Sequence, residues 1–135
     1  MPDTSDTGFN GNMPAIWLLN AQVPLTSQYG TNPNCSCWTS GCGEFDLFEV
    51  LDAGDKRCKS TLHMAPAGGS SDYFQRPTGG SIKAAVVFTG GNSTVHIQIL
   101  DDDVEFRSSL GGGDVDGFVS MMGTNKVSSI FKLTG

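Results

Sequence analysis

The chain has 135 residues, a formal net charge of −6, 16% charged residues and 18 glycines. That length builds one domain with a real core, and the acidic balance, relieved only by a local cluster of Lys56, Arg57 and Lys59, argues against a nucleic-acid or anionic-membrane partner. Apolar runs are too short to cross a bilayer, and a Gly-, Ser- and Thr-rich composition of low charge predicts an all-β protein.

Residues 1–12 are polar, are expected to be loosely held, and lack the basic and apolar regions of a secretory leader. Ala15 to Leu19 is apolar and bounded by polar residues, which predicts a buried strand. Asn20 to Gly43 reads as a long loop carrying Cys35, Cys37 and Cys42. With Cys58 the thiols make an even number in a small β-rich chain, which predicts disulfides and an oxidising compartment. A Cys35 to Cys37 bridge would be badly strained, so one of those two is expected to pair with Cys42 or Cys58 and pin the loop. A zinc site of these thiols with His63 is disfavoured, because the spacing fits no paired Cys framework; no metal or cofactor is expected. Asn34-Cys35-Ser36 and Asn92-Ser93-Thr94 match the glycosylation acceptor pattern and agree with secretion.

Glu44 to Leu51 is the most informative stretch. Phe45, Leu47 and Val50 alternate with Glu44, Asp46 and Glu49 at a period near two, which predicts a strand. Strict alternation would set Glu49 among Phe45 and Leu47, on the apolar face. One extra residue near Leu47 or Phe48 resets the parity, so that Glu44, Asp46 and Glu49 converge while Phe45, Phe48 and Val50 turn to the core. Two converging carboxylates are the equipment of a retaining glycoside hydrolase, one as nucleophile and one as acid and then base. A third between them, Asp46, would share a proton with the nucleophile and hold the other pKa values apart. The alternative is an ordinary exposed acidic face.

Lys59 to His63 reads as a short strand, Ala65 to Gly80 as a Gly- and Pro-rich surface loop, and Ile82 to Phe88 with Val95 to Leu100 as a hairpin. Asp101, Asp102 and Asp103, with Asp114 and Asp116 near three glycines, read as turn chemistry in preference to a calcium loop. Val127 to Leu133 is the last predicted strand.

The order Met13-Pro14-Ala15-Ile16-Trp17-Leu18-Leu19, then Cys37-Trp38-Thr39-Ser40-Gly41-Cys42, then Glu-x-Asp-x-x-Glu resembles family-sixteen glycoside hydrolases. More closely, Gly8 to Val50, the Cys35-Ser36-Cys37-Trp38 loop, Thr61-Leu62-His63 and Ser71-Asp72-Tyr73-Phe74 resemble the fungal cell-wall family of circularly permuted β-1,3-glucanases. The resemblance implies an all-β jelly-roll sandwich of the concanavalin-like kind, incomplete at this length, since such hydrolases run to about 200–250 residues as one unit. It implies Glu44 as nucleophile, Asp46 as assisting acid and Glu49 as acid/base, acting on β-glucan in the cell wall or outside the cell. Trp17 and Trp38 are expected beside the sugar, whose apolar C–H faces suit indole rings. His63, Tyr73 and Arg76 are the further substrate contacts expected. A non-catalytic carbohydrate-binding module and a structural wall protein are the competing readings.

Overall fold

The structure is a computed structural model that describes residues 11–23, 34–70, 73–120 and 128–133. The N-terminal decapeptide, Ser71, Asp72 and Val127 lie outside the described residues, so the expectations placed on them stay there.

Two antiparallel sheets stack face to face as an all-β sandwich. The first contains β1 (Ala15–Leu19), β2 (Glu44–Glu49), β3 (Arg57–His63) and β4 (Gly68–Ser70) in that order, with β5 (Phe74–Gln75) on the first residues of β3. The second contains β6 (Lys83–Thr89), β7 (Thr94–Leu100) and β8 (Ser128–Lys132). Apart from β5, which joins β3, strands pair with their neighbours in chain order, so each sheet is an antiparallel meander.

The core between the sheets follows from period-two patterning. β2 and the turn after it supply Phe45, Phe48 and Val50; β3 supplies Cys58 and Leu62; β7 supplies Val95, Ile97 and Ile99; β8 supplies Phe131. Edge-to-face ring contacts knit it across the layers, with Phe45 to Phe131 at 5.5 Å and Phe45 to Phe88 at 6.2 Å, while Phe48 and Phe74 meet within the first sheet at 6.0 Å. The β6–β7 hairpin closes at Thr89 opposite Thr94, where their hydroxyls lie 2.6 Å apart and Thr94 also donates to Asn92 Oδ1 at 2.9 Å.

Three elements depart from the sequence expectation. β1 is a strand, but it is not buried: Ile16 is 54% and Leu18 46% exposed, because β1 is the edge of its sheet and the second sheet does not reach over it. A groove of about 390 Å³ opens on that side, lined by Leu18, Phe45, Leu62, Phe88 and Leu133 among others. Residues 65–80 hold β4 and β5 as well as loop. Gly68 lets β4 approach: its φ is +132°, and a Cβ there would sit 2.9 Å from the Leu62 carbonyl oxygen, so the glycines that suggest a loop permit a strand. Lastly, α1 (Gly112–Ser120) packs on β6 and β7 where turns were expected. Val115, Phe118 and Val119 have helical spacing, and the glycines among them obscure it. Asp114 Oδ2 accepts the Gly111 N–H at 2.8 Å at its start.

The loop before β2 is closed by a disulfide between Cys35 and Cys42, one of the pairings left open by the sequence. Cys37 and Cys58 are reduced and fully buried. Inside the loop the Ser36 N–H donates to Ser40 Oγ at 2.9 Å, and that hydroxyl donates back to the Ser36 carbonyl at 3.0 Å. The Ala65 N–H donates to the Ser40 carbonyl at 3.0 Å, tying the loop to the end of β3.

Two outcomes test this packing. Denatured protein without reductant should titrate as two free thiols per chain and folded protein as none, because Cys37 and Cys58 are wholly enclosed. Phe48→Ala should lower unfolding free energy by about 3–5 kcal/mol in denaturant titration, since it empties the centre of the sandwich.

Candidate active site

β2 carries the irregularity that its parity demands. Against β1, Ile16 pairs with Phe48 and Trp17 with Asp46, leaving Leu47 as the extra residue; against β3 the register also shifts between Asp46 and Glu49. A bulge leaves a carbonyl without a ladder partner. Here the fully buried Ser60 hydroxyl donates to the Leu47 carbonyl at 2.5 Å and satisfies it.

Directly paired residues on neighbouring strands share a face. Glu44 is flanked by Leu19 and His63, Asp46 by Trp17 and Thr61, and Glu49 by Ala15 and Lys59. The three carboxylates therefore occupy one surface, with Trp17 and His63 beside them and Phe45 and Phe48 behind them in the core. Gly43, at φ +78°, takes the left-handed conformation that turns the chain into β2 immediately before Glu44.

The disulfide-closed loop folds over the Glu44 end. Cys37 hydrogen-bonds the Glu44 side chain, and Trp38 lies on His63 with ring centroids 5.0 Å apart. His63 Nε2 in turn lies 3.1 Å from Asp46 Oδ2. Thr61 and Ser70 face each other on the same surface, hydroxyl to hydroxyl, at 3.2 Å.

The acids are less solvated than a cleft of simple exposed carboxylates. Only 6% of Glu44 and 3% of Asp46 is exposed, so these two are not part of an ordinary exposed acidic face. Burial, then the charges of Glu49 and Glu44, then the hydrogen bond with Glu44 push the Asp46 carboxyl up to about 7. Glu49 also lies above the ordinary glutamate range through burial and the charge of Glu44, while His63 pulls the other way. Burial and the Glu44 contact push the Cys37 thiol up to about 12, so it stays a protonated donor. Cysteine counting alone does not expose this contact; the position of Cys37 within a closed loop two residues after Cys35 is the nearest sequence signal.

The other expected contacts divide. Trp17 (43% exposed) and Trp38 (55% exposed) flank the acidic surface with rings open to a ligand. Tyr73 stands over the Lys59 end, with the Lys59 ammonium 4.6 Å and the Arg57 guanidinium 4.9 Å from its ring. Arg76 is a correction: it is 2% exposed, and its guanidinium donates to the carbonyls of Asn12 at 3.2 Å and Asp55 at 3.1 Å and to Asn12 Oδ1. An enclosed guanidinium spent on backbone carbonyls clamps three segments and does not reach a polysaccharide. Among the described residues no three or more His, Cys, Asp or Glu side chains are arranged so that they could hold a metal ion, and no helix is long and apolar enough to cross a membrane.

Residues 1–118 match the family described as "Cell wall protein YJL171C/Tos1, C-terminal". A Saccharomyces cerevisiae protein named "Probable circularly permuted 1,3-beta-glucanase TOS1" is 48% identical over 91% of this chain and 26% of its own length. A Candida albicans protein of the same name is 46% identical over 90% of the chain and 27% of its own length, and Candida albicans "PGA52", also named a probable circularly permuted 1,3-beta-glucanase, is 37% identical over all of the chain and 38% of its own. The chain thus spans between 26% and 38% of the length of these relatives. No solved structure matches it. On this match, the chain belongs to the Tos1/YJL171C C-terminal family of fungal cell wall proteins.

Proposed function

We propose that the acidic surface of β2 is the catalytic centre of a retaining glycoside hydrolase acting on β-1,3-glucan of the fungal cell wall. The observation that carries this reading is the Leu47 bulge, which sets Glu44, Asp46 and Glu49 on one face with proton affinities raised in two of them. The names of the relatives supply the substrate class. A secreted or wall-bound location follows from the same names and agrees with the Cys35–Cys42 disulfide.

The chemistry runs as a double displacement. Glu49 donates its proton to the departing glycosidic oxygen while a Glu44 oxygen bonds to the anomeric carbon, so the C–O bond to the leaving sugar breaks and a glycosyl ester forms. Glu49, now a carboxylate, takes a proton from water or from another sugar hydroxyl, whose oxygen displaces Glu44. Hydrolysis or transglycosylation results. At neutral pH Asp46 holds a proton for Glu44 while its Oδ2 accepts from His63 Nε2–H. Glu44 is thereby aimed at the anomeric carbon. Trp17 and Trp38 provide the apolar flanks for the pyranose rings.

The limited share of the relatives' length favours a second reading for the chain by itself, in which the same surface binds glucan without cleaving it. Reducing-sugar release from laminarin, run beside retention on insoluble glucan, separates the two. Turnover lost in Glu44→Gln and Glu49→Gln, by about 10²-fold or more, supports the hydrolase; binding without turnover in the parent overturns it.

Asp46 links this site to stability. Its folded pKa of about 7 lies above its ordinary 3.8, so its contribution is fully present below about pH 4 and is lost as pH rises towards 7. Asn mimics the protonated form. Asp46→Asn should therefore raise the melting temperature at pH 7.5 and leave it nearly unchanged at pH 4, while reducing kcat less than either glutamate change.

A further inference from the structure

Lys59 is the direct cross-strand neighbour of Glu49 on β3, so the two side chains rise from the same face. A lysine in that place is within reach of the carboxylate. It does not take it: the two form no ion pair, and the ammonium lies 4.6 Å from the centre of the Tyr73 ring. The second cation at that ring, Arg57, is already neutralised by Asp55, with Nε to Oδ1 and Nη2 to Oδ2 both at 3.1 Å. Lys59 is therefore the lysine paired in register with the acid/base, and its ammonium rests on the aromatic face.

We propose that Tyr73 is a positioning residue that draws the Lys59 ammonium onto its ring and so keeps it off the Glu49 carboxylate. The inference rests on the acid/base role given to Glu49 above. The titratable groups around Glu49 among the described residues are Glu44 and Asp46 from β2 and Cys58, Lys59 and His63 from β3, the buried Cys58 thiol being held protonated; β1 opposes it with Ala15 and Asp46 with Trp17, neither of which ionises. Glu44 raises the proton affinity of Glu49, and His63 lowers it. An ammonium moved within about 4–6 Å of the carboxylate would lower it much further, favouring the anion and removing the proton the leaving group needs. Tyr73 thus acts on the reaction through the position of a neighbouring charge, in place of the direct sugar contact its sequence context suggests.

Carbon-13 carboxyl titration of the intact chain, with Glu49 assigned through Glu49→Gln, reads this without requiring turnover. Tyr73→Ser should lower the Glu49 midpoint by about one pH unit or more. Tyr73→Phe, which keeps the ring, should leave it in place. Adding Lys59→Met to Tyr73→Ser should restore it. An unchanged midpoint in Tyr73→Ser, or a drop that survives Lys59→Met, overturns the proposal. On laminarin, the alkaline limb of the kcat profile should move down with the midpoint. A midpoint that moves while the limb stays would sink the acid/base role of Glu49 and leave the Tyr73 assignment standing.

Discussion

The hydrogen bond from the Ser60 hydroxyl to the Leu47 carbonyl is the constraint on which the arrangement of β2 depends. An extra residue in a paired strand strands one carbonyl, and in a buried sheet an unsatisfied carbonyl costs about 1–3 kcal/mol. Ser60 removes that cost from across the ladder. With the carbonyl satisfied, parity can change within one strand, and the same six residues serve two surfaces: Phe45 and Phe48 in the sandwich core, Glu44, Asp46 and Glu49 on the opposite face. A regular strand could supply neither set, because Phe45 and Phe48, and likewise Glu44 and Glu49, are an odd number of residues apart.

Much of this was legible in the sequence because β2 obeys a conflict that only a bulge resolves. Residue polarity and chain parity disagree at Glu49, and that disagreement locates the irregularity to within two residues. The hairpin of β6 and β7 was legible because β6 is a short apolar run, β7 alternates through Val95, Ile97 and Ile99, and the turn between them is rich in glycine. What stayed hidden depended on neighbours. β1 reads as buried because it is apolar, yet its exposure is decided by how far the second sheet extends. β4 and α1 are masked by glycines whose role is close approach in one case and little more than tolerated in the other. Arg76 looked like a ligand contact because an arginine in a loop usually reaches solvent; the carbonyls of Asn12 and Asp55, far from it in sequence, take it instead.

The loop closed by Cys35 and Cys42 explains why the acids can be so enclosed. A carboxyl group with little access to water needs hydrogen-bond partners, and a buried like-charge cluster relieves itself by retaining a proton. Both devices are present. Cys37 donates to Glu44, and Asp46 keeps a proton near neutrality. Trp38 on His63, and His63 on Asp46, extend the same connection from the loop through the side chains that face the acids. The disulfide therefore does more than fasten a surface loop: by fixing Cys37 and Trp38 it fixes the environment that sets these proton affinities.

The uncovered side of the sandwich bears on how the acidic surface would hold a polymer. Trp17 lies on the acid side of β1, whereas Ile16 and Leu18 lie on the core side of the same edge strand and remain exposed with Phe88 on β6. β1 is held by its ladder to β2 and, at its far end, by Leu19 on the cluster of Val23, Cys35 and Cys37, while Ile16 and Leu18 add little, and edge strands so exposed are prone to fray. The Trp17 platform thus rests on an exposed edge strand, while Trp38 rests on a disulfide-closed loop. The two rings that flank the acids are therefore unequally preorganised. Substrate affinity that depends on Trp17 must overcome the ordering of β1, and affinity that depends on Trp38 need not.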